Sequence, residues 1–278
     1  MNNSGTLFVI SLPIGNLEDI TLRALKTLKK LKYIVCEDTR TTKKLINYYN
    51  LGSKILISYY KDVEKKKTEE IIKLLLSGKD VGLVSEAGTP LVSDPGSHLV
   101  KRCHELGIKV TPVPGASAIT CALSASGIDL KRGFIFIGFL PKKLKELEKV
   151  FANIPSKLPV VLFIPPHDAP EVFENLLKIL GNRECFLARE LTKVHEELRW
   201  TTLKDLSQVK EFKGEITLII APDESKNQKS IPSEEELRKE FELFCSEKIK
   251  PKEAIKLIAQ RYRISTKKLY ELLVKKRE

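Results

Sequence analysis

The chain contains no apolar run near the ~18 residues needed to carry a helix across a bilayer, which excludes a membrane-spanning helix as its organising element. Cysteine is sparse and scattered: Cys36, Cys103, Cys121, Cys185 and Cys245 form no Cys-x-x-Cys pair, and their odd number excludes a complete disulfide framework. Reduced, mostly buried thiols in a cytoplasmic protein are the expectation. Met1-Asn-Asn-Ser-Gly-Thr leads directly into an apolar run, without the basic region of a signal peptide. No Gly-x-Gly-x-x-Gly fingerprint is present, which argues against the usual dinucleotide fold, and no Gly-x4-Gly-Lys-Ser/Thr loop is present to cradle a triphosphate. His98, Cys103 and His104 lie close in sequence but lack metal-ligand spacing, so no metal is expected. Ser117 lacks the Gly-x-Ser-x-Gly setting of an activated nucleophile.

What the chain has in excess is positive charge. Forty-eight Lys and Arg stand against 36 Asp and Glu, a net of +12, which favours a polyanionic partner. The excess is uneven: Lys248 to Arg277 holds eleven Lys and Arg against two acids, a net of +9. Surface lysines that serve solubility alone are the competing reading. With 278 residues, 42% of them hydrophobic, the chain can bury a sizeable core and is expected to form two domains.

Three segments share one design: an apolar run that ends in small or turn-forming residues. Leu7–Leu12 stops at Pro13-Ile-Gly-Asn16, and a helix follows with Asp19 or Thr21 as its cap. Val81–Val84 breaks into Gly88, Thr89, Pro90, Ser93, Asp94, Pro95 and Gly96. Val110-Thr-Pro-Val ends in Pro114-Gly115, and Ala116, Ser117 and Ala118 open the next helix. Loops at the carboxyl ends of buried strands are where open α/β sheets bind ligands, and small residues there let a ligand lie on the backbone. Strands are expected at 6–12, 32–36, 54–58, 80–84 and 108–112, with helices near 20–30, 40–49, 64–77 and 96–106, an alternation that implies a largely parallel sheet. A second set follows: an apolar stretch at 133–140, helices near 143–152 and 169–180, and strands at 159–164, 184–189 and 215–221.

Seven markers occur in one order: Pro13-Ile-Gly-Asn16, Glu37-Asp-Thr-Arg40, Ala87-Gly-Thr-Pro90, Ser93-Asp-Pro-Gly96, Pro114-Gly-Ala-Ser117, Gly138-Phe-Leu-Pro141 and Ala188-Arg-Glu-Leu-Thr-Lys193. Together they resemble the tetrapyrrole-methylase superfamily and, within it, the ribosomal RNA small subunit methyltransferase I family. The resemblance implies two α/β domains, 1–115 and 116–222, with S-adenosylmethionine in a cleft between them, a homodimer, and methyl transfer to a cytidine ribose 2′-oxygen in the decoding region of 16S rRNA, free or in the small ribosomal subunit. It also implies cofactor contacts at Pro13, Gly15, Ala87, Gly88, Thr89, Val92, Ser117, Ala118 and Ala188. Thr89 stands where the small-molecule methylases usually carry Asp. One segment departs from the family: Ile164-Pro-Pro-His-Asp168 replaces a Glu-Ser-Pro-His-Arg-like motif and so lacks an acid and an arginine.

Removal of a hydroxyl proton calls for a base, and Glu37-Asp-Thr-Arg40 follows a strand, so its charges belong at the sheet's carboxyl edge. Glu37 or Asp38 is the candidate acceptor of the ribose proton and Arg40 a candidate phosphate ligand, with Arg189, Glu190 and Lys193 approaching from the opposite wall. The alternative is that these charges cap helices and pair with one another. Residues 223–232 read as a polar linker closed by Pro232. Residues 233–278 read as a separate basic, helix-turn-helix-like module, in which Lys252, Arg261, Arg263, Lys267 and Lys268 are candidate RNA contacts. A docking bundle with a solvated basic face is the alternative there. Two other functions remain open on sequence alone: methylation of a tetrapyrrole or another small acidic molecule, and a nucleic-acid-binding regulator that senses a ligand.

Overall fold

Each short apolar run of the first half becomes one strand of a single parallel sheet: β1 (Leu7–Ile10), β2 (Tyr33–Cys36), β3 (Ile55–Ser58), β4 (Val81–Leu83) and β5 (Val110–Val113). The computed structural model describes residues 4–61, 63–223, 234–246, 249–262 and 264–273. Between the strands run α1 (Leu22–Lys30), α2 (Thr39–Tyr48), α3 (Glu64–Leu76) and α4 (Ser97–Glu105). Thr21 starts α1 as its cap, accepting the Ala24 N–H at 3.1 Å. Both faces of the sheet are covered. Val35 joins Leu7, Ile71, Leu75 and Leu99 on one side, and its neighbour Ile34 joins Ile10, Ala24 and Leu28 on the other. A sheet buried on both faces needs continuous apolar strands rather than alternating ones, which is why these runs are legible in the sequence.

The strand order is β3-β2-β4-β1-β5. β1 pairs with β4 (Leu7 opposite Val81) and with β5 (Leu7 opposite Val110). The loops that leave β1, β4 and β5 therefore emerge side by side at one edge.

The second sheet contains β6 (Ile135–Phe139), β7 (Val160–Ile164), β8 (Glu184–Arg189), β9 (Glu197–Thr202) and β10 (Ile216–Ile220), in the order β6-β7-β10-β8-β9. Only β6 and β7 are parallel; β10 runs antiparallel to both β7 and β8. Here the faces alternate. Val160, Leu162 and Ile164 pack with α6 (Leu144–Ala152), α7 (Ala169–Leu180) and α8 (Leu203–Ser207), whereas Val161 and Phe163 meet α5 (Ala118–Ser126) through Ile119, Ala122 and Leu123. Helix α5 follows a strand of the first sheet yet packs on the second. β9 and α8 were not expected from the sequence. β9 is an edge strand whose Leu198 and Trp200 stay half exposed, so it carries no buried run to announce it. The Trp200 indole N–H donates to the Ser126 carbonyl at 3.1 Å and ties that edge to the end of α5.

Both sheets lie in one compact unit, Met1–Ala221, and a second unit spans Pro222–Glu278. In the second unit α9 (Glu234–Ser246), α10 (Pro251–Tyr262) and α11 (Thr266–Leu273) surround their own core of Leu237, Ile255, Ile258, Leu269 and Leu273. The proposed linker falls outside the described residues from 224 onward, as do residue 233, the chain end from 274 and Arg263.

Candidate active site

A cleft of about 310 Å³ opens where the two sheets meet, within the size range of small-molecule sites. The loop after β1 contributes Ile14, the loop after β4 contributes Glu86 through Thr89 and Val92 through Asp94, and the start of α5 contributes Ser117 and Ala118. The second sheet supplies Phe139, Phe163 to Pro166, and Glu215 to Thr217.

Thr89 knits the three loops together. Its hydroxyl accepts from the Ser11 hydroxyl at 3.1 Å and donates to the Ala116 carbonyl at 3.1 Å. Gly88 adds an antiparallel bridge: its N–H donates to the Leu12 carbonyl (3.1 Å), and its carbonyl accepts from the Leu12 N–H (2.8 Å). The backbone groups expected to face a ligand at Gly88 are thus spent on holding one loop against another. Gly88 has φ +70°, a left-handed conformation that glycine adopts without a steric cost.

Of the cofactor positions implied by the resemblance, Ala87, Gly88, Thr89, Val92, Ser117 and Ala118 line the cleft, whereas Pro13, Gly15 and Ala188 are not among its lining residues. Ala188 is fully buried in β8, opposite Thr217. Gly15 sits against the turn that follows β8: a Cβ there would lie 2.5 Å from the Leu191 carbonyl oxygen and 2.7 Å from the Thr192 hydroxyl. The Asn16 N–H donates to that same hydroxyl at 2.9 Å. The first loop is therefore a clamp between the two sheets. Gly15→Ala is expected to lower stability by about 1–3 kcal/mol, the usual cost of forcing extra volume into a filled contact. An unchanged denaturation midpoint would show that the 190–193 turn yields freely.

The charged candidates are mostly engaged. Asp38 caps α2 by accepting the Arg40 N–H (2.7 Å), and its carboxylate also takes the Arg40 guanidinium at 2.7 Å. The side-chain hydrogen bond from Arg40 is the main reason that the Asp38 carboxyl is held down to about 2. Arg189 pairs with Glu197 at 2.8 Å, and Lys193 bridges Glu190 (2.8 Å) and Glu215 (2.9 Å). Glu37 differs: burial, and then the charge of Glu86, push its carboxyl above the ordinary range. In the second unit Arg261 binds Glu240 at 2.6 Å, while Lys252, Lys267 and Lys268 are exposed.

Several lining residues were missed as site residues. Phe139 and Asp94 lay inside quoted motifs, and Pro165 and Pro166 inside the departing segment. In that segment Asp168 is bound by Lys142 at 2.7 Å and by His167 at 3.4 Å. Glu86, between the Val81–Val84 run and Gly88, and Glu215 were assigned no role from the sequence.

Two α/β sheets with a cleft formed by the loops after adjacent parallel strands define an α/β protein built to bind a ligand at those loops. Residues 6–207 match the model of the tetrapyrrole (corrin/porphyrin) methylases, and a solved structure of diphthine synthase shares the fold at a TM-score of 0.63 and 17% identity, over 78% of this chain and 90% of that one. More specifically, the chain belongs to the ribosomal RNA small subunit methyltransferase I family within that superfamily. It is 37% identical to the protein of that name from Halalkalibacterium halodurans, over 98% of this chain and 95% of the relative. It is 42% identical to the one from Thermotoga maritima, over 79% of this chain and 100% of the relative.

Proposed function

We propose that the protein transfers the methyl group of S-adenosylmethionine to the 2′-oxygen of a cytidine ribose in the decoding region of 16S rRNA, acting as a cytoplasmic homodimer on the RNA or the small ribosomal subunit. The observation that carries this reading is the cleft itself, in a chain that shares nearly its whole length with a relative named for small-subunit rRNA methylation. That shared length takes in most of the basic second unit, which a small tetrapyrrole substrate does not call for.

The lining suits the cofactor. Ile14, Val92, Phe139, Phe163 and Ile216 offer apolar surface for an adenine, while Glu86 and Glu215 give a negative field for a sulfonium cation. α5 begins at the cleft, and the first N–H groups of a helix lack intrahelical partners, which favours a carboxylate at Ser117 and Ala118. When bound, the cofactor supplies an activated methyl and a good leaving group, so the protein's main tasks are alignment of the acceptor oxygen and removal of its proton. In this reading domains 1–115 and 116–222 form the two walls, Arg189 and Lys193 flank the RNA side, and Lys252, Lys267 and Lys268 contact phosphates.

The test uses small subunits from cells that lack the modification. Incubation with protein and S-adenosylmethionine is expected to protect one decoding-region ribose from alkaline cleavage, with the protein dimeric by light scattering. Methyl incorporation into a base would refute the 2′-oxygen assignment, and a monomer across micromolar concentrations would refute the dimer.

Helices α1 to α11 include none that is long and apolar enough, among the described residues, to cross a membrane.

A further inference from the structure

Asp94 is the least usual ionisable group lining the cleft. It sits in the loop after β4, in which Leu91 (φ 72°) and Ser93 (φ 69°) are both held in left-handed conformations that side chains avoid. Such strain persists only where surrounding contacts over-determine the backbone, and two are visible here. The Gly96 N–H donates to Glu64 Oε1 of α3 at 3.1 Å. On the cleft side, Ser93 packs against Gly138, where β6 is irregular: a Cβ at Gly138 would lie 2.9 Å from Ser93 Oγ. Asp94 lies between these anchors, on a fixed backbone, and lines the cleft.

From this placement we propose that Asp94 is the general base that accepts the proton of the ribose hydroxyl, an inference that rests on the methyl-transfer reading above. In the step, the ribose oxygen bonds to the methyl carbon and the carbon–sulfur bond breaks with its electron pair going to sulfur. The hydroxyl proton passes to the Asp94 carboxylate. The surroundings suit the task. Partial burial and then the charge of Glu37 at the end of β2 are the largest influences raising the Asp94 carboxyl; a hydrogen bond from Ser85 opposes them and Glu86 adds to them, leaving it at about 6. A base in that range is ionised at pH 7 yet holds a proton far better than an ordinary aspartate. The cleft's other wall presents Glu215, which Lys193 holds at 2.9 Å. Asp38 is poorly suited, since Arg40 occupies its carboxylate and depresses its basicity. Glu37 is not among the lining residues and acts through Asp94, as a charge that raises its proton affinity. Nor do Glu37, Glu86 and Asp94 converge as ligands would: among the described residues, no group of three or more His, Cys, Asp and Glu is placed to hold a metal ion.

The experiment is single-turnover methyl transfer to unmodified small subunits between pH 5 and 8, paired with calorimetry of S-adenosylmethionine and carbon NMR of the carboxyl groups. The wild-type rate is expected to fall with acid as Asp94 takes up a proton, with a midpoint near 6. Asp94→Asn is expected to lower the plateau by about 10²–10⁴-fold and abolish the acid limb, with cofactor affinity unchanged. Asp94→Glu should restore part of the rate. Glu86→Gln removes a neighbouring like charge, so both the acid limb and the Asp94 resonance should titrate at lower pH. The assignment is overturned by an Asp94→Asn protein with the wild-type plateau, by parallel loss of cofactor affinity and rate, or by a carboxyl that titrates near 4 in the wild type. Failure of the wild-type protein to modify any ribose would overturn the functional reading as well; normal wild-type activity with an indifferent Asp94→Asn variant overturns only the base.

Discussion

Replacing Gly88 with leucine is expected to reduce S-adenosylmethionine affinity at least a hundredfold, about 2.7 kcal/mol, in a protein that still folds. Two effects combine. The backbone at Gly88 has φ +70°, and an L-residue held there pays roughly 1–2 kcal/mol. The new Cβ would also stand 3.1 Å from Ile14 Cγ2 and 3.7 Å from the Ala116 carbonyl. Any longer side chain must then move Ile14, a lining residue, or enter the cleft itself. Gly88→Ala separates the two effects, because it keeps the conformational strain with little added volume. Calorimetry should find alanine binding much closer to wild type than leucine, with both variants showing a cooperative melt. Equal, wild-type affinity in a folded leucine variant would remove the cofactor from this position.

The local elements of this protein were legible because the physics behind them is local. Val81–Leu83 and Ile216–Ile220 are buried along their whole length, so each appears as a run free of charged residues and dominated by apolar ones. Thr21 stands where a cap is needed, and it makes the capping bond. β9 was invisible for the complementary reason. An edge strand with polar residues on one face and a half-exposed tryptophan on the other carries no buried run and obtains its place from antiparallel pairing with β8.

The site was legible in its parts but not in its assembly. The turn residues of the three loops mark ligand loops, yet only the pairing of β1 with both β4 and β5 sets them side by side. Gly15 makes its close approach to the 190–193 turn, a neighbour that the sequence around it does not announce. Ionisation is more remote still. Asp38 is settled by its sequence neighbour, but Asp94 is not. One is held near 2 by an arginine two residues away, and the other is raised to about 6 by burial and a glutamate 57 positions earlier in the chain. The pairing of Arg189 with Glu197 and of Lys193 with Glu190 and Glu215 likewise turns an apparent basic patch into a largely neutralised network.

That neutralisation shifts the expected burden of RNA affinity to the second unit, and deletion of residues 222–278 is the direct test. Residues 1–221 hold both sheets and their cores, and the helical unit has a core of its own. The Thermotoga maritima relative is covered completely by 79% of this chain, which leaves about a fifth of the chain, roughly the size of this unit, without a counterpart there. Chemistry is therefore expected to survive the deletion and affinity to suffer. Lys252, Lys267 and Lys268 are exposed and available to phosphates, whereas Arg261 is committed to Glu240 at 2.6 Å. Each neutralised phosphate releases counterions and steepens the salt dependence, so losing several contacts should weaken binding to small subunits on the order of 10–100-fold near physiological salt and flatten its salt slope. Cofactor affinity and the rate at saturating RNA should change little. Reversing Lys267 and Lys268 to glutamate should give a milder form of the same defect, while Arg261→Ala should act through the α9–α10 contact and lower the melting temperature instead. A truncated protein that binds and methylates small subunits with an unaltered salt response would assign the helical unit to docking rather than RNA contact.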